Sequence, residues 1–178
     1  QFVSSEGTPV SSVYMQLRLP VMEGVARIDL MRGPHRLDSR IVSASTPLVT
    51  VLSPNGGDHW GNSRETVSWR ATDADGDALV AQVLYSPQDG RHWRVIVRDG
   101  QQSSTTIDTS VLPGGNGARV RVIVTDGFNT AEDDSDAVFS VGRKAPIASV
   151  ISPPDESYVR AEDQVAFRGN ASDLEGGL

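Results

Sequence analysis

The sequence predicts an all-β protein made of antiparallel β-sandwich modules in tandem. Three observations predict it. Apolar residues recur at every second position in segment after segment, and no stretch holds a helical period over about ten residues. Clusters of Gly, Pro, Asn and Asp separate those segments at short intervals. The chain also repeats itself: Pro47, Ser53 and Pro54 return 99 residues later as Pro146, Ser152 and Pro153. A period of about one hundred residues is the size of one sandwich domain.

Taken in order, residues 1–12 are small and polar, with Gly7 and Pro9, and read as a loop or a frayed end. Val13, Met15, Leu17 and Leu19 alternate with polar neighbours, the pattern of a half-buried strand. Ala26 to Leu30 and Leu37 to Ser43 read as two further strands around an Arg32-Gly33-Pro34 turn. After a Ser45-Thr46-Pro47 linker, Val49 to Leu52 forms a strand that Ser53-Pro54-Asn55-Gly56-Gly57 closes. Glu65 to Thr72 turns Val67, Trp69 and Ala71 inward, and Leu79, Ala81, Val83 and Tyr85 share the face that follows. Ser86 to Gly90 is a hairpin turn, after which Trp93, Val95 and Val97 share a face. Thr105 to Thr109 is a short strand and Leu112 to Gly117 a loop. Val120, Val122 and Val124 alternate with Arg119 and Arg121, Asp126 to Asn129 is a turn, and Ala137 to Val141 is the last strand of the unit.

The repeat continues beyond it. Trp60 and Trp69 find counterparts 98 residues on in Tyr158 and Phe167, and Asp73 finds one 100 residues on in Asp173. The organisation expected is therefore the C-terminal part of a β module over 1–47, a complete sandwich over 48–144, and the N-terminal part of a further module over 145–178. Neither flanking piece has enough chain to close its own sandwich. The chain opens on Gln1 rather than Met, which reads as a mature or excised fragment.

Bulk chemistry narrows the function. With 16 Lys and Arg against 23 Asp and Glu, the net charge is −7, which repels nucleic acid and anionic membrane surfaces alike. No apolar run is long enough to span a bilayer as a helix. The chain has no Cys, which removes disulfides, thiolate metal sites and thiol nucleophiles. Its three histidines, His35, His59 and His92, lie at separate turns with no zinc-protease spacing. Neither a nucleophile elbow nor a phosphate-binding Gly-rich loop is present. The fragment itself is thus expected not to be an enzyme.

Residues 48–144 resemble a bacterial extracellular immunoglobulin-like module of fibronectin type III character. The resemblance rests on Ser53-Pro54-Asn55-Gly56-Gly57, Trp69, Asp73-Ala-Asp75-Gly-Asp77, Tyr85-Ser86 and Val120 to Gly127. Residues 146–178 resemble the opening of a sister module through Ser152-Pro153 and Ala171-Ser-Asp173. One departure stands out: the loop before Ala118 lacks the Tyr that fibronectin-type domains usually place there. The resemblance implies tandem accessory domains of a larger secreted or cell-surface protein, appended to an extracellular hydrolase or protease.

The sharpest candidate site is Asp73, Asp75 and Asp77. Alternate carboxylates on a Gly-containing turn converge on one hard cation, which takes six to eight oxygens. The spacing is not that of an EF-hand, since Gly76 is the fourth residue of the turn and Leu84 the twelfth. In a sandwich the loop before the last strand lies at the same end, so Asp126, with Glu132, Asp133 and Asp134, is expected to approach this turn. A likeness to cadherin-like repeats, which hold calcium between modules, points the same way, with millimolar-range affinity (~10⁻⁴–10⁻³ M). The competing reading is an acidic turn whose side chains cap backbone N–H groups. Ser86-x-Gln88-x-Gly90-x-x-Trp93 resembles the Asp-box hairpin, with Gln88 expected to tie the turn and Trp93 to pack beneath it.

Two functional expectations follow. The first is a non-catalytic structural spacer whose partners are neighbouring domains of its own chain. The second is a module that binds carbohydrate or a surface protein, for which His59, Trp60 and Tyr14 are the candidate contacts.

Overall fold

The computed structural model describes residues 24–176, together with residues 2, 3, 9, 10, 16, 18 and 20. The chain divides into two compact units, residues 1–42 and 43–178. Among the described residues every extended element is a β-strand and the sole helical turn is a short 3-10 segment.

In the first unit, β1 (Phe2–Val3) pairs with β2 (Pro9–Val10), where a loop was expected. The predicted strand over 13–19 falls mostly outside the described residues; Gln16 and Arg18 are exposed and lie in no strand. β3 (Arg27–Arg32) and β4 (His35–Ile41) form the expected hairpin. Arg32 pairs with His35 across Gly33-Pro34, and Gly33 supplies the positive φ of +56° that so tight a turn requires. Asp29 accepts from the Ser39 hydroxyl on the facing strand at 2.7 Å.

The second unit contains a β-sandwich. β5 (Leu48–Ser53), β7 (Arg64–Thr72) and β10 (Ser104–Asp108) form one antiparallel sheet in the order β10-β7-β5. The other sheet runs β6-β13-β11-β8-β9, from β6 (His59–Trp60), β8 (Val80–Ser86), β9 (Arg94–Gly100), β11 (Gly115–Thr125) and β13 (Phe139–Val141). β12 (Thr130–Asp134) adds to β11. Between the sheets lie Val51, Val67, Trp69 and Ile107 from one side and Ala81, Val83, Tyr85, Val120, Val122, Val124 and Phe139 from the other, all buried. The alternation read from the sequence is the alternation of burial, because inward side chains on a pleated strand recur every second residue. Trp60 closes one end against Phe139, with ring centroids 4.6 Å apart.

In the sandwich, β11 and β12 depart from the expected bounds. β11 begins at Gly115, inside the predicted loop, because glycines let its first residues run close to other backbone. A Cβ on Gly114 would lie 2.5 Å from the Gly142 carbonyl oxygen, and Asp89 N–H donates to the Gly117 carbonyl at 2.6 Å. β12 is a strand where acidic loop residues were expected. Two of its three carboxylates are paired from the facing strand: Arg121 meets Glu132 at 3.1 Å and Asp134 at 2.6 Å, and also stacks over Trp93.

Beyond Val141, β14 (Ile147–Ser152) pairs antiparallel with β15 (Arg168–Ser172) and repeats the β5–β7 pairing in detail. Leu48 faces Thr72 as Ile147 faces Ser172, and the ladder slips between Val51 and Ser53 as it does between Val150 and Ser152. The Ser53–Pro54 and Ser152–Pro153 bonds are both cis. This register corrects one equivalence. Val51 faces Trp69 while Val150 faces Gly169, so the counterpart of Trp69 is Gly169, and Phe167 stands at the position of Val67. Phe167 and Trp69 do not do the same packing job: Trp69 is 3% exposed and Phe167 73%. Val150, at the place of the buried Val51, is likewise exposed.

Candidate functional site

The turn after β7 is built by Asp73. Its Oδ1 accepts from the backbone N–H of Asp75 at 2.8 Å and of Asp77 at 3.2 Å, and its carbonyl accepts from Gly76 N–H at 3.3 Å. Gly76 adopts a φ of +78°, which folds the loop back on itself. One oxygen from each of Asp73, Asp75 and Asp77 lies within 4.8 Å of the others. The second oxygen of Asp73 is buried and has no hydrogen-bond partner. Asp73 and Asp77 line a polar cleft with Trp69, Leu79 and Gln101, from which Asp75 is absent.

Asp75 turns instead to the linker that enters the module. Its Oδ2 accepts from the N–H groups of Ala44 at 3.0 Å and Ser45 at 2.7 Å and from the Ser43 hydroxyl at 3.1 Å, and its Oδ1 accepts from the Ser45 hydroxyl at 3.0 Å. Those donors, the Ser45 amide and hydroxyl foremost, hold the Asp75 carboxyl below its ordinary range. The same linker is gripped from a second side. Asn129 Nδ2 donates to the Ser43 and Ser45 carbonyls at 3.2 and 2.9 Å.

Asp126 stands outside the acidic group that Asp73, Asp75 and Asp77 form. Its Oδ1 accepts from Phe128 and Asn129 N–H, both at 2.6 Å, and its Oδ2 from Asn129 Nδ2 at 3.1 Å. It closes its own turn and aims Asn129 at the linker. Glu132, Asp133 and Asp134 do not reach the Asp73 turn either. Asp133 Oδ2 accepts from Val51 N–H at 2.7 Å, and the other two serve Arg121, as described. Asp75 and Asn129 bring both turns to the entering linker; what meets there is the linker backbone, not four converging carboxylates.

As a cation site the trio is partial. Asp73 Oδ2 is uncommitted, and the Asp77 carboxylate accepts no hydrogen bond among the described residues. Both oxygens of Asp75 already accept from the linker. Three carboxylates supply about half of the six to eight oxygens that calcium takes.

No protein-family model, curated protein or solved structure matches this chain.

A second acidic turn, Asp173-Leu174-Glu175-Gly176, keeps the first carboxylate and the Gly of the first turn and has Glu in place of the second Asp. Its geometry is the same: Asp173 Oδ1 accepts from Glu175 N–H at 2.9 Å, and the Asp173 carbonyl accepts from Gly176 N–H at 3.3 Å. Glu175 Oε1 then accepts from Gly114 N–H at 2.8 Å and Lys144 N–H at 3.0 Å. Sequence reasoning missed this contact, because backbone donors have no side-chain signature.

Other candidates are settled by burial and bonding. Trp60 is buried in the core, which withdraws it as a ligand contact. His59 is exposed, with its Nδ1 2.6 Å from the Ser140 hydroxyl, and Tyr14 lies outside the described residues. In the Asp-box-like hairpin it is Ser86, not Gln88, that ties the turn: its buried hydroxyl accepts from Gln88 and Gly90 N–H at 3.3 and 3.1 Å. Trp93 does pack against Gly90, as the expectation held.

Proposed function

We infer that the chain is a run of immunoglobulin-like structural modules of fibronectin type III character, acting as a non-catalytic spacer in a larger secreted bacterial protein. The observation that carries this reading is the duplicated strand pair. β14 and β15 reproduce the register, the ladder slip and the acidic turn of β5 and β7 about one hundred residues on, as modules in tandem do. With β5, β7, β8, β10, β11 and β13 lettered A, B, C, E, F and G, the strands pair A-B-E in one sheet and C-F-G in the other, which are pairings of the immunoglobulin sandwich. The bare apolar face of β14 and β15 supports reading 145–178 as the opening of a further module. A spacer of this kind holds an extracellular hydrolase or protease domain at a set distance, and its partners are its own neighbouring domains.

Small-angle scattering of the chain tests the reading. A spacer gives one extended profile, unchanged from low to high salt. A profile of independently moving beads overturns it, and so does saturable binding to a member of a saccharide panel, which belongs to an adhesion module.

One observation favours calcium as an accessory ligand: the buried, unpartnered Oδ2 of Asp73 beside the Asp77 carboxylate. Asp73, Asp75 and Asp77 would hold the ion, and its chemistry would be to neutralise and stiffen the turn. Melting the chain across a calcium titration tests it; a melt unchanged at several millimolar, about the weak end of such sites, overturns it.

A further inference from the structure

We propose that the third residue of each acidic turn is a junction latch, a carboxylate that binds the backbone entering its module and thereby fixes the path from one module to the next. This goes beyond the spacer reading. It names the groups that set the joint, and it holds whatever the parent protein does.

The two latches are equivalent on both sides of the bond. Asp75 and Glu175 are 100 residues apart, and so are the amides they bind, Ala44 and Lys144. In each turn the first Asp receives the N–H of the latch residue on its own carboxylate and so presents the latch side chain. The copies differ by one methylene, and that difference has a consequence. Asp75 reaches only the linker, Ser43 to Ser45, and the linker carbonyls are taken by Asn129. Glu175 reaches one group further, to Gly114 in the body of the preceding module. Its single oxygen Oε1 therefore joins three pieces of chain: its own turn, the linker at Lys144, and the loop that leads into β11.

Gly114 is shaped for that role. A Cβ there would sit 2.6 Å from Arg143 Cα, so the loop packs backbone to backbone on the segment that follows β13, and the Gly114 N–H donates to Glu175. Hydrogen bonds to an ionised acceptor are about twice as strong as neutral ones. Two N–H groups converging on one carboxylate oxygen form a joint that neither linker composition nor apolar packing explains.

Amide hydrogen exchange on the 178-residue chain, followed by NMR with a chelator present, tests the latch. Glu175→Ala is expected to speed exchange at Gly114 and Lys144 about tenfold and leave Ala44 and Ser45 unchanged; Asp75→Ala does the reverse. Glu175→Asp separates reach from charge: Lys144 keeps its protection and Gly114 loses it. Glu175→Gln, which keeps an acceptor oxygen without the charge, gives a smaller acceleration confined to the same two amides. Core amides of Val122 and Val124 report that the sandwich is intact in every variant. Unaltered exchange at Gly114 and Lys144 in Glu175→Ala overturns the proposal, as does equal acceleration at all four junction amides.

Discussion

Tyr85 donates its hydroxyl to the carbonyl of Pro113 at 2.6 Å, from a side chain buried between the sheets. The loop before β11 lacks a Tyr of its own, and Tyr85 on β8 ties that loop. Burial, with the negative charge of Glu175 adding to it, raises the phenol above its ordinary value of 10.0. Tyr85→Phe is expected to cost about 1–2 kcal/mol in denaturant unfolding, because it leaves the Pro113 carbonyl without its partner. The sign of the pH effect follows. A raised folded pKa stabilises the neutral form, so the contribution is complete below pH 10.0 and erodes as pH rises above it. Alkaline melts of wild type and Tyr85→Phe should converge.

Trp69 and Phe167 separate core from surface. Trp69→Ala removes a fully packed indole and is expected to cost about 3–5 kcal/mol. Phe167→Ala, at an exposed position, is expected to change stability by less than about 0.5 kcal/mol. Urea titrations of the two variants check both values.

Asp133 is expected to matter for stability and not for metal. Asp133→Ala leaves the Val51 N–H in the sandwich without an acceptor, at a cost of about 1–3 kcal/mol. The loss should be the same with and without added calcium, measured by thermal melts in chelator and in calcium.

Much of this was legible in advance, and the exceptions share a cause. Val67, Trp69, Val83, Tyr85, Val120, Val122 and Val124 announce themselves through period two, because burial acts on side chains that the sequence displays. β12 does not: Thr-Ala-Glu-Asp-Asp has poor strand propensity, and its carboxylates are met by Arg121 and by the Val51 N–H, partners that local sequence does not display. The acidic turn was visible as a turn and as a cluster. Its main engagement was hidden, since the partners of Asp75 are backbone groups 30 and 31 residues earlier in the chain. The apparent match of Trp69 with Phe167 failed for a related reason. Aromatic identity suggested an offset of 98, whereas hydrogen-bond register sets 100 in this strand.

Glu175 gives the acid-side prediction. The N–H groups of Lys144 and Gly114 hold its carboxyl at about 2, below the ordinary 4.5. A depressed folded pKa stabilises the ionised form. Its contribution is therefore complete above pH 4.5 and is lost as pH falls towards about 2. The amide chemical shifts of Gly114 and Lys144 should titrate together, with a shared midpoint near pH 2.

Inter-domain linkers are the usual places where proteases nick a chain, because a scissile segment must lie extended and lend its N–H and C=O groups to the enzyme. At Ser43 to Ser45 four of those groups are already engaged, the Ala44 and Ser45 amides by Asp75 and the Ser43 and Ser45 carbonyls by Asn129. The segment that reads as the natural cut site is thus closed to a bound protease. Limited digestion should enter first through the exposed stretch from Asp155 to Asp163, outside the β14–β15 ladder, and leave the linker whole. That protection falls on the peptide bonds that lead into the sandwich, whose cleavage would separate it from the chain before it.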